Sequence, residues 1–305
     1  MISFFANIFG YVLNFIYNLL GNYGWAIIIF SILMKILMIP ISIKQQKTMK
    51  KSTKLQAKMK EIQFKYKNNP EKLNQETMNL YKSENMNPFS GCLSAIVQII
   101  LLFAVFYLVK SPLTYMKKVD TDVINKYSTI IVQNELSTKS AYPEIEIVRE
   151  IDNIKELRNK NSDETQENKE ENKIKVEEIK DEELDSLKIN MDFLGLNLAQ
   201  VPTRSSDWKA YIIPFLYVII SVVSMRLTTI TTPKQNKDEK NGEKKEEEFD
   251  PMAQMNKNMS YMFPIMFLGV ALVAPLGLAL YWLMNSLLMI IEKLVLNKVL
   301  KDEEE

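Results

Sequence analysis

Histidine does not occur in this 305-residue chain, and cysteine occurs once, as Cys92. The first absence removes the commonest metal ligand and general base. The second excludes an intrachain disulfide framework and a cysteine metal cluster. The chain also lacks a Gly-rich phosphate loop, an H-E-x-x-H or G-x-S-x-G motif, and any pair of carboxylates inside an apolar run. A hydrolytic or redox enzyme is therefore disfavoured, and neither a cofactor nor a metal is expected. A net charge of +1 points to neither nucleic acid nor a polyanionic substrate.

What is present is segregated. Hydrophobic residues make up 47% of the chain and charged residues 25%, but they fall in separate blocks. Five apolar blocks cover 25–43, 93–109, 210–225, 261–274 and 276–291. At about 1.5 Å per residue, about twenty residues match a hydrocarbon core of about 30 Å, and the shorter blocks span with local thinning of the bilayer. An all-α polytopic membrane protein follows, with transmembrane helices expected over 24–43, 91–110, 210–228, 259–274 and 276–293. Pro264, Pro275 and Gly277 bend or shorten the last two.

The loop over 44–90 holds eleven lysines against four glutamates and is short enough for the positive-inside rule, which puts it in the cytoplasm. Leu55, Met59, Ile62 and Tyr66 recur at helical spacing; Pro70 suits the first turn of a second helix with Asn69 as its cap. The spacing predicts a basic helical hairpin; a solvated linker whose helices merely bridge two spans is the competing reading. Its methionines, with their flexible thioethers, tolerate many apolar partners, although ordinary packing accounts for each taken singly. The loop over 111–209 then lies outside and the charged linker over 229–258 inside. Five spans put the N-terminus outside and the acidic tail, 294–305, inside. Within the outer loop, STIIVQ (128–133) and YPEIEIV (142–148) read as β-like runs. The Glu/Lys/Asn-rich stretch over 159–185 reads as disordered or as a lone solvated helix.

Residues 1–23 carry no charged side chain and no cleavage pattern of a signal peptide. Asn7, Tyr11, Asn14 and Asn18 fall on one helical stripe, which predicts a retained helix in the interface plane on the outer face; a sixth span is the competing reading.

Lys35 is the single charged residue between 24 and 43. A lysine at mid-bilayer costs about 2.5–3.5 kcal/mol on insertion scales, so it is expected to face protein or a wet cavity rather than lipid. The other four apolar blocks hold no Asp or Glu, and Glu292 sits at the cytoplasmic edge of the fifth. Lys35 is accordingly expected without a carboxylate partner, solvated in a polar groove with Gln98, Ser221, Ser224, Asn285 and Ser286. Lys110 and Arg226 read as anchors at span ends.

Four stretches resemble one family, the YidC membrane-protein insertases of bacteria with their mitochondrial and chloroplast relatives. They are NYGWAIIIFSILMKILMIPISIKQQK (22–47), LQAKMKEIQFKYKNNPEKLNQETMNLYKSENMNPFSGCLSAIVQ (55–98), FLGLNLAQ (193–200) and FPIMFLGVALVAPLGLALYWLMNSLLMIIEKL (263–294). The resemblance implies five helices around a hydrophilic groove open to cytoplasm and lipid. It also implies insertion of newly made membrane proteins without nucleotide hydrolysis, in the bacterial cytoplasmic membrane. Lys35 corresponds to the family's groove cation, usually arginine. The hairpin, with Lys51, Lys54, Lys58, Met59 and Lys60, corresponds to the part that receives substrates or meets the signal-recognition targeting machinery. Nascent membrane proteins and lipids are the implied partners, with the Sec translocation channel as a further one. About 75 residues, 114–188, form an insertion in the outer loop without a functional account. Rival readings are a small transporter, which would show a repeat, and a structural subunit, which would tolerate loss of Lys35.

Overall fold

In the computed structural model, described residues cover 1–84, 90–163, 179–231, 266 and 268–302. Most of the linker expected over 229–258, the first part of the span expected over 259–274 and the middle of the charged stretch over 159–185 lie outside them. The side chains of Lys54 and Lys60 do as well.

The described residues are mostly helical. Helix α1, Ile2–Leu20, ends where Gly21 turns left-handed at φ 63° and donates its N–H to the Tyr17 carbonyl, a common way to satisfy a last-turn acceptor. Helix α2, Tyr23–Lys65, is 43 residues long and continues through Pro40 into the hairpin. It returns as α3, Pro70–Ser83, with Pro70 in the first turn and Asn69 accepting from the Lys72 N–H. Helix α4, Ser90–Lys110, leads to the short α5, Pro112–Tyr115. The elements α6, Thr121–Gln133, α7, Pro143–Asp163, and α8, Asp181–Leu187, follow. A two-stranded hairpin, β1 Asp192–Phe193 and β2 Leu196–Asn197, turns through Leu194 and Gly195 at positive φ. Helix α9, Ile212–Thr231, and the last helix, α10, Leu276–Asp302, complete the described elements.

By length and composition, three of these helices are able to cross a membrane: 2–20, 23–48 and 276–299. Shorter apolar helices cover 96–110 and 208–224. Large apolar side chains such as Leu33, Ile36 and Leu37 on α2 and Phe215, Ile219 and Val222 on α9 are exposed, which suits a lipid solvent. This is an all-α membrane protein.

The segment between α4 and α9 corrects two expectations. STIIVQ and YPEIEIV are helical, within α6 and α7. Ile124, Tyr127 and Ile131 pack against Ile147, Ile151 and Ile154 in one buried cluster, spacings of three and four that reveal a helix only over a window longer than the β-branched run itself. The end of the charged stretch is no lone solvated helix either: Leu184 and Leu187 of α8 are buried. Arg158 binds the Ile179 carbonyl at 3.0 Å and Asp181 at 2.7 Å. At the head of α7, the buried Glu144 accepts from the Thr114 N–H at 2.9 Å and its hydroxyl at 2.7 Å. Burial pushes the Glu144 carboxyl above its usual range, and the Thr114 bonds oppose that shift.

Helix α1 packs along α4 and α2 and reaches past the end of α4 onto α5 and the residues after it. Lys118 donates to Asn7 and lies 4.2 Å from the Tyr11 ring centre; Lys117 lies 5.2 Å from that of Tyr17. A Cβ on Gly10 would overlap the Tyr115 carbonyl, so only glycine permits that approach.

Candidate functional site

Two helix starts are tied to one strap. The first N–H groups of any helix lack internal partners. Here the Tyr23 N–H at the head of α2 donates to the Asn190 carbonyl at 3.0 Å, and Asn22 donates to the Asp192 carbonyl. At the head of α10, the N–H groups of Leu276 and Gly277 donate to the carbonyls of Gln200 and Leu198, both at 2.9 Å. Phe193, at the end of β1 between these anchors, lies where a Cβ on Gly24 would be and meets the Trp25 ring edge-on at 5.3 Å. Residues 190–200 therefore hold α2 and α10 at a common level.

The two helices run parallel from that level. Gly277 packs beside Tyr23 and Ile27 at one end, and further along Glu292 meets Lys35. Helix α9 also packs along α10 in this direction, with the Tyr217 and Trp282 ring centres 6.3 Å apart.

Lys35 sits about 18 Å along α2 from Tyr23. Its Nζ lies 2.5 Å from Glu292 Oε2, with the two side chains 19% and 12% exposed. Those exposures take the pair out of the class of surface salt bridges. The expectation of a lysine without a carboxylate partner is thus corrected. The physical reason is reach: from the Gly277 contact, Glu292 is about 22 Å along α10, while Lys35 is about 15 Å along α2 from the same level. Two long side chains bridge that offset. The other Glu292 oxygen, Oε1, is buried without a hydrogen-bond partner among the described residues.

The remaining groove candidates fall at different heights. Gln98 donates from Nε2 to Gln45 Oε1 at 2.6 Å, tying α4 to α2. Gln45 lies ten residues beyond Lys35, about 15 Å further along α2. Ser224 is buried and Ser221 half-buried on α9, on the stripe of Tyr217; Asn285 is half-buried and Ser286 buried on α10. Asn285 and Ser286 stand three and four residues beyond Trp282, and Asn285 is seven before Glu292, so α10 carries these polar groups along one side. Gln45 and Glu292 were not among the sequence candidates. The seven-residue spacing from Asn285 to Glu292 was the available signal.

In the hairpin, Lys51 and Lys58 are exposed and Lys58 pairs with Glu84 at 2.8 Å. Met59 is half-buried beneath the Tyr81 hydroxyl, which donates to its Sδ at 3.4 Å.

A sequence profile of the 60Kd inner membrane protein family matches residues 15–304. The chain belongs to that family. Among curated relatives, it is 43% identical over 106 residues to "Membrane protein insertase YidC" of Helicobacter pylori, a stretch covering 35% of this chain and 19% of that protein. Identity is 41% over 102 residues to the protein of the same name from Caldanaerobacter subterraneus subsp. tengcongensis, covering 33% and 50%. It is 51% over 94 residues to that from Syntrophus aciditrophicus, covering 31% and 17%. The matched stretches therefore span half or less of those relatives' own lengths.

Proposed function

We propose that this protein is a membrane-protein insertase of the bacterial cytoplasmic membrane. It moves hydrophobic segments of newly made proteins from the cytoplasm into lipid, without nucleotide hydrolysis. The observation that carries the reading is Lys35: a cation deep in an apolar helix, kept from lipid by α10, in a chain of this family. Its relatives' names support the activity.

In this reading five spans, 24–43, 91–110, 210–228, 259–274 and 276–293, enclose a groove open to the cytoplasm. The N-terminus lies outside with 1–23 in the outer interface, and the hairpin over 44–90 and the tail lie inside. Lys35, Gln98, Ser221, Ser224, Asn285 and Ser286 wet the groove, joined by Gln45 and Glu292. A nascent segment meets the hairpin lysines and places its polar outer tail in the groove, so that less hydrocarbon remains to be crossed. Transfer of its apolar part from water to lipid drives the step. The targeting machinery and the Sec channel are the partners such a role implies.

The test is protease-protected insertion of a single-span protein with an acidic outer tail into vesicles holding this protein as sole insertase, wild type beside Lys35→Leu. Insertion by wild type and loss in the variant supports the reading. No insertion above empty vesicles overturns it.

A further inference from the structure

We propose that Glu292 is a resident counter-ion which an incoming carboxylate must displace from Lys35, so that Glu292 sets which tails the groove accepts. The proposal rests on the insertase reading and deepens it.

The geometry of the pair is that of an exchangeable contact. A buried ion pair offsets its desolvation only when further hydrogen bonds satisfy the remaining lone pairs. Here one Glu292 oxygen meets Lys35 and the other is buried with no hydrogen-bond partner among the described residues. Lysine adds a point contact rather than the two parallel bonds an arginine fork would make. Lys35 is thus occupied but not locked.

Glu292 is carried on α10, whose first N–H groups are bound by the same strap that holds α2. It therefore faces Lys35 at the high effective concentration of a tethered partner, of the order of millimolar or above. A free acidic peptide competes poorly against that. A carboxylate tethered to an apolar span that has already entered the bilayer competes on equal terms, because its own effective concentration is raised in the same way. The groove thereby distinguishes an acidic tail attached to a membrane segment from acidic peptides at large. An extended tail also brings backbone N–H groups, which supply the donor that Glu292 lacks.

The test uses the full chain in vesicles and reads the extent of amine modification at Lys35 by peptide mass mapping. Three synthetic probes are added: an apolar twenty-residue span with a two-aspartate tail, the same span with a two-asparagine tail, and the acidic tail alone. In wild type the acidic span protects Lys35 and the free tail does not. In Glu292→Gln, Lys35 is modified several-fold faster without probe, the free tail now protects, and the acidic span half-protects at about tenfold lower concentration, the scale expected when a tethered competitor is lost. Glu292→Asp, which keeps the charge on a shorter arm, falls between the two. Equal half-protection concentrations in wild type and both variants overturn the proposal, as does equal protection by the asparagine-tailed span. Protection as described together with failure of vesicle insertion by wild type would remove the insertase reading and leave the counter-ion.

Discussion

Lys35 and Glu292 are 257 positions apart in sequence and form an ion pair deep between two parallel helices. The strap at the far end sets the height of both, because carbonyls within residues 190–200 accept the first N–H groups of the two helices, which then pack along one another. Register set at the strap is transmitted about 20 Å along both helices because a hydrogen-bonded helix is stiff along its axis.

That arrangement makes the pair testable by charge. Removing one partner leaves the other charge largely buried, which costs about 3–5 kcal/mol in interiors, whereas replacing both with apolar residues is often neutral or stabilising. Lys35→Leu and Glu292→Leu are each expected to lower the unfolding temperature in detergent. The double variant is expected to recover most of the loss. Additive losses in the double variant would mean that the two side chains do not interact.

Phe193 tests the strap. It is buried at the turn of the hairpin, against Gly24 and Trp25, and truncating a buried Phe costs about 3–5 kcal/mol. Phe193→Ala is expected to lower thermal stability and also to slow cross-linking of the Lys35→Cys/Glu292→Cys double variant by a short bifunctional thiol reagent, which spans the gap the two long side chains bridge. The second readout separates loss of register from simple loss of packing. An unchanged cross-linking rate would disconnect the β-hairpin from the pair.

Gly10 offers a sharper steric test, because the obstacle is backbone. A Cβ there meets the Tyr115 carbonyl, and α5 has Leu113 wholly buried beneath it. Gly10→Ala is expected to destabilise the attachment of α1, read as faster proteolysis after residue 20 in wild-type-matched vesicles. Gly269, where a Cβ meets nothing within 4 Å, is the matched control: Gly269→Ala should leave that proteolysis unchanged.

Much of this was legible from the residues. Apolar blocks gave an all-helical membrane protein, and Asn69-Pro70 marked the start of α3 because cap and first-turn chemistry are local. Lys35 stood out for the same reason, a charge in an apolar run. The misreadings concern longer range. Ile130, Ile131 and Val132 imitate a strand until Ile124 and Tyr127 are counted with them, and it is the packing of α6 on α7 that selects the helix. Glu292 looked peripheral because position along its own helix was compared with position in the bilayer. The strap that aligns α10 with α2 is made of backbone carbonyls, which carry no residue-type signal. Gln45, paired with Gln98, was hidden similarly, since it falls in the basic hairpin by composition and on the span by geometry.

Glu144 gives the segment between α4 and α9 a pH signature. Its carboxyl is raised above the ordinary Glu value of 4.5 in the folded chain, chiefly by burial, with the Thr114 bonds opposing. A carboxyl raised on folding binds protons more tightly in the native state, so its contribution is fully present below the unfolded value and is lost as pH rises through the folded one. Glutamine at this position keeps one acceptor for Thr114 and never ionises. The stability of Glu144→Gln relative to wild type is therefore expected to improve as pH rises from about 4.5 toward neutrality, measured as the difference in unfolding temperature between the two proteins at each pH. A difference that stays flat across this range would mean that the folded carboxyl titrates as it does in the unfolded chain, and that the Thr114 bonds fully offset its burial.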